Sequence, residues 1–163
     1  MKKISILLFS FMLFLGGCSQ KSKLFNEDAL GESALMNTQK GELYSSLELK
    51  ASLTATYLNN FVDEYKKSKD EVFLVSIYID RDSSDKSKQG IYNKNYMLTL
   101  NSKKPIDIKL LEYEDDIIKI IPFRNHWSNY YLLSFEKSKA KEMHMNYKHS
   151  TYGQLDLVFS KDQ

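Results

Sequence analysis

The sequence predicts an all-β domain, an antiparallel β-sandwich of about eight short strands, and two observations carry it. Apolar and polar residues alternate with a period of two in segment after segment. These segments are short and follow one another at regular spacing, with no convincing helix among them. An immunoglobulin-like arrangement is the first choice among sandwiches. The disulfide usual in that fold is absent, because Cys18 is the only cysteine.

The strands are read in order. Leu47, Leu49, Ala51, Leu53, Ala55 and Tyr57 alternate with polar residues. A helix would spread them around its circumference, so a strand fits better. Glu71–Asp80 is apolar on both faces and reads as a central strand. Residues 81–95 form a polar loop, and 95–101 a short strand. In 105–112, Ile106, Ile108 and Leu110 share a face; Asp115 and Asp116 then mark a turn before a strand at 117–121. Residues 122–128 are an irregular link. The last three strands are 129–136, 142–148 and 153–161, with inward sets Tyr131/Leu133/Phe135, Met143/Met145/Tyr147 and Leu155/Leu157/Phe159.

The chain upstream has a different character. Lys2 and Lys3 precede an apolar run, Ile4–Leu15, followed by Gly16, Gly17 and Cys18. A charged start, a short apolar stretch and small residues are the marks of a secretory signal. Twelve residues rise only about 18 Å as a helix, against a hydrocarbon core of about 30 Å. Leu15-Gly16-Gly17-Cys18 resembles the lipobox of bacterial lipoproteins. That resemblance covers the first eighteen residues. It implies lipid on the Cys18 thiol, cleavage before Cys18, and membrane attachment through covalent lipid. A lone thiol in an oxidising compartment fits the same reading. Two or more acyl chains make a stable anchor where one is marginal.

The expected organisation is therefore a signal at 1–17, a lipidated N-terminus and tether at 18–40, and the sandwich at 41–163. The tether is polar and aperiodic; Asn26-Glu27-Asp28 offers a cap for a short helix through Met36, weakened by Gly31. Removing the signal takes away Lys2 and Lys3, leaving 21 basic against 21 acidic side chains. A neutral domain argues against nucleic acid as a partner. Ser19 resembles the outer-membrane sorting class of enteric lipoproteins, which implies the periplasmic side of the outer membrane where the source has two membranes.

Catalytic and metal motifs fail on inspection. Asp80–Asp85 places acids at calcium-like spacing, but Asp85 and Ile91 stand where an EF-hand needs Gly and Glu. Met143 and Met145 lie on the opposite strand face from His144, so the three cannot close on one copper ion. Glu112, Glu114, Asp115 and Asp116 crowd one turn rather than facing each other across a substrate. Gly31–Leu35 lacks the second glycine of a nucleophile elbow. His126, His144 and His149 have no zinc-site spacing. No cofactor and no enzyme activity are expected.

The richest binding chemistry lies at Phe123–Tyr131. Arg124, His126, Trp127 and Tyr130 are the candidate partner-contact residues, because Trp, Tyr and Arg dominate binding hot spots. Trp127 has two readings, a core anchor or an exposed contact, and the sequence favours the core. The expected role is a non-catalytic, lipid-anchored interaction or accessory module of the cell envelope, with an envelope protein or a glycan as partner. The alternative is a ligand-binding lipoprotein for a glycan or small apolar molecule; an envelope hydrolase comes third.

Overall fold

A computed structural model of the chain describes residues 30–161. The expected signal at 1–17, Cys18 and residues 19–29 lie outside that span.

Eight strands form two antiparallel sheets: β1 (Thr38–Ser45), β2 (Glu48–Tyr57), β3 (Asp70–Ile79), β4 (Tyr96–Leu100), β5 (Asp107–Leu111), β6 (Asn129–Glu136), β7 (Glu142–His149) and β8 (Gly153–Ser160). One sheet has the order β1-β2-β3-β6-β5, the other β4-β7-β8. Strands β2 to β8 reproduce the strand order of a constant-type immunoglobulin sandwich, four strands against three, with β1 added at one edge.

Period-two patterning explains the core between the sheets. Alternate residues of β2, β3 and β6, including Leu53, Phe73 and Leu133, face Leu98, Met145 and Phe159 of the smaller sheet in one buried cluster. At its centre the Phe73 ring lies 5.0 Å from those of Tyr57 and Phe159 and 5.8 Å from Phe135. These aromatics pack the middle of a core that has no disulfide across it. Burial pushes the Tyr96 and Tyr131 hydroxyls up to about 12.

The larger sheet is partly buried on its outer face too, which is why β3 is apolar on both sides. Val72, Leu74 and Tyr130 lie there under Leu58, Ile118 and Ile121. Residues 117–121 do this as part of a 3-10 turn, Asp116–Ile120, and not as the expected strand. Ile118 and Ile121 are three residues apart, so a 3-10 turn brings both to one face; a strand would split them.

The domain begins before Gly41, so the boundary read from sequence moves upstream. Residues 38–40 belong to β1, residues 30–36 are helical, and Ala34 is fully buried. Thr38 Oγ1 donates to the Ala34 carbonyl and sits 2.7 Å from Thr56 Oγ1. β1 also packs on β8 across the gap between the sheets. Gly41 permits this approach, since a Cβ there would come within 3.1 Å of the Leu155 and Leu157 methyls.

The antiparallel registers define two ends. At the lower end lie the start of β1 with its helical lead, the β2–β3, β4–β5 and β6–β7 connections, and the close of β8. At the upper end lie the β1–β2, β3–β4, β5–β6 and β7–β8 connections.

Candidate interaction surface

The β5–β6 connection at the upper end carries Arg124, His126 and Trp127, the start of β6 carries Tyr130, and the structure divides the four. Tyr130 is only 2 % exposed, so it is not a surface contact. Its ring packs on the outer face of the larger sheet, because residue 130 alternates with the inward-facing Tyr131. Its hydroxyl accepts from the Asn125 N–H and donates to the Asn125 carbonyl, both at 2.7 Å. Burial pushes this hydroxyl above its ordinary range. Tyr130 thus anchors the loop.

Trp127 is 81 % exposed, which overturns the core reading that the sequence favours. The physical reason is local. Tyr130, Ile118 and Ile121 already fill the outer-face cluster. The loop turns at Asn125, whose side-chain oxygen accepts from the Trp127 N–H at 2.9 Å. The indole is left in water.

Arg124 and His126 are exposed and gather on a ring outside the predicted set, Tyr113. The His126 and Tyr113 centroids are 3.9 Å apart, and the Arg124 guanidinium lies 5.9 Å from the Tyr113 ring. Sequence reasoning missed Tyr113 because only the fold brings the Glu112 turn beside the 122–128 link.

Trp127 and Asn125 line one end of a shallow groove of about 390 Å³ on the outer face of the larger sheet. The rest is Lys40, Glu42, Leu49, Ser52 and Tyr78 of β1, β2 and β3. Lys40 pairs with Glu42 at 2.6 Å, and Tyr44 donates to the same carboxylate. Lys40 first and then Tyr44 hold Glu42 below the ordinary carboxylate range. The groove's one acid is thus an ion-paired acceptor, flanked by two aromatic rings and neutral polar groups.

The other candidates resolve as structural. Met143 and Met145 are fully buried, while exposed His144 bonds Asp156 at 2.8 Å through Nδ1. Asp82 organises its own loop, accepting from the Ser83 and Gly90 N–H groups and the Asn93 amide. Among the described residues no three acids, histidines or cysteines gather as metal ligands.

Glu71 at the lower end is a polar site that the sequence did not reveal. It is fully buried. Its carboxylate accepts from Tyr57 Oη at 2.6 Å, the Ser138 N–H at 2.9 Å and Lys161 Nζ, with Lys137 Nζ at 3.5 Å. Burial pushes Glu71 up, but the bonds from Lys161, Tyr57 and Ser138 outweigh it and hold the carboxyl below its usual range. This cluster ties the β6–β7 connection and Lys161 to β2 and β3.

Among the described residues no helix is long and apolar enough to cross a membrane. No protein-family model, no curated protein and no solved structure matches the chain.

Proposed function

We propose that the chain is a lipoprotein of the bacterial cell envelope, held by lipid on Cys18, whose sandwich acts as a non-catalytic interaction module. The observation that carries this reading is Trp127, an indole held in water by an ordered loop beside a groove. Exposed Trp beside Arg is the composition of contact hot spots and contributes little to packing where it stands. The lipobox supports the anchor, and Ser19 supports the outer membrane where there are two. The ion-paired state of Glu42 supports binding over catalysis in the groove.

A glycan partner is the second reading, favoured by Trp127 and Tyr78 flanking Asn125, Ser52 and Glu42. Capture from solubilised envelope separates the readings. The wild-type chain should retain a discrete partner, and Trp127→Ala should lose most of it with an unchanged melting temperature. Protease treatment of the extract removes a protein partner; glycosidase treatment removes a glycan. Equal capture by Trp127→Ala would refute the assigned surface. Cys18→Ala should abolish fatty-acid labelling and detergent partitioning; unchanged attachment would refute the anchor.

A further inference from the structure

We infer that the lower end of the sandwich is a membrane-docking face for anionic lipid head groups, so that Trp127 points away from the bilayer. This orientation rests on the anchor at Cys18 proposed above, and three observations carry it further.

The first is where the chain enters. Residues 30–36 lead into β1 at the lower end. Only the eleven residues 19–29 separate them from Cys18. Covalent geometry limits that stretch to roughly 40 Å fully extended, so lipid on Cys18 keeps the lower end close to the surface.

The second is apolar exposure on that entering segment. Met36 is 78 % exposed, Leu35 52 % and Leu30 40 %, although Ala34 beside them is fully buried. Met36 also lines a groove of about 470 Å³ with Phe61, Val158 and Lys66. Apolar side chains on a short helical segment at a lipid surface gain burial at the head-group boundary.

The third is charge. Lys67, Lys69, Lys104, Lys139 and Lys141 are exposed at this end and have no ion pair among the described residues. Three neighbouring acids are already paired: Asp63 with Lys66, Glu136 with Lys103, and Glu71 with Lys137 and Lys161. Glu32, Glu64, Asp70, Asp107 and Glu142 remain, so the positive excess of the described residues at this end is a single charge. Charge alone does not hold this face down; it acts with the apolar side chains and the tethering lipid. A lysine near an anionic surface strengthens the contact about fivefold.

The chain supplies its own distal reporter, since Trp127 is its only tryptophan. Met36→Cys, labelled with an environment-sensitive fluorophore, supplies the proximal one. The full lipidated chain is reconstituted in vesicles of phosphatidylcholine alone and with added phosphatidylglycerol, each with doxyl-labelled lipid as quencher. The label at position 36 should be quenched severalfold more in the anionic vesicles. High salt, or the triple variant Lys67→Gln, Lys139→Gln, Lys141→Gln, should remove that difference. Trp127 should be unquenched throughout. A label at 36 that escapes quenching in both vesicles, or that ignores lipid charge, or a Trp127 quenched as strongly, would overturn the orientation. Thiol labelling of the wild-type chain is the control on the underlying reading: uptake at Cys18 refutes the anchor, whereas a blocked Cys18 with an unquenched position 36 refutes the docking face alone.

Discussion

The two ends of the sandwich solve one problem in opposite ways. Each must hold an irregular connection against a sheet, and each uses a tyrosine hydroxyl. At the upper end Tyr130 exchanges two neutral hydrogen bonds with the Asn125 backbone. At the lower end Tyr57 donates to a buried carboxylate, Glu71, which also binds lysine ammonium groups. The anchor of the upper loop is made of neutral bonds alone, and it leaves Trp127 displayed. The anchor of the lower end is a buried, ion-paired carboxylate, so its contribution to stability depends on pH.

The largest effect expected from this contrast is that of Glu71→Ala. It strands Lys161, Tyr57 and the Ser138 N–H, and breaking a buried ion pair costs about 3–5 kcal/mol. Denaturant unfolding should show a loss of that order, whereas a change under about 1 kcal/mol would mean that the pair behaves as a surface contact.

Acid should act through the same residue. Its folded pKa is lowered, so the stabilisation is fully present above the ordinary glutamate value of 4.5 and is lost as pH falls through the folded value. Melting temperature followed from neutral pH downward should fall steeply in that window, and Glu71→Gln should flatten the fall. A wild-type profile parallel to that of Glu71→Gln would remove Glu71 from the account.

Gly90→Ala comes next. Gly90 has φ +56°, and a Cβ there would sit 2.1 Å from Tyr131 Oη. Strain and overpacking predict a loss of about 1–3 kcal/mol, read by the same unfolding curve; a neutral substitution would show that the 81–95 loop gives way freely.

Tyr130→Phe removes only the hydroxyl and should cost about 1–2 kcal/mol. Faster proteolysis confined to residues 122–128 would accompany it, and no change in cleavage there would mean that the hydroxyl does not hold the loop.

Smallest is Trp127→Ala. An exposed side chain predicts a shift within about 0.5 kcal/mol, against the 3–5 kcal/mol cost of truncating a buried Trp.

Patterning made most of the fold legible, and it failed where one side chain served two demands. The outward and inward residues of β6 alternate plainly, and its bounds are those read from sequence. β1 escaped because Leu43 is its only buried residue, with glycine required at position 41 where β8 approaches. The 117–121 segment looked like a strand because isoleucine suits both a strand and the i,i+3 face of a 3-10 turn. Trp127 is invisible to pattern reasoning for a related reason. Its residue type favours burial, and only the packing of Tyr130, Ile118 and Ile121 leaves it no room beneath the loop. Glu71 lay in an apolar run, and its partners are supplied from 14 to 90 residues away. Of the candidate surface, Arg124, His126 and Trp127 were legible as a chemical cluster. The groove partners Lys40, Glu42 and Tyr78 were not: the sequence puts Lys40 in the tether and Glu42 in no strand, and only the fold brings Tyr78 of β3 beside Trp127.

Photo-cross-linking in the living cell tests whether the display of Trp127 serves contact. A photoreactive phenylalanine replaces Trp127 in one strain and Ser84, in the 81–95 loop, in another. Position 127 should give a discrete cross-linked adduct and position 84 none. An adduct from position 84 alone, or from neither, would contradict a contact role for Trp127.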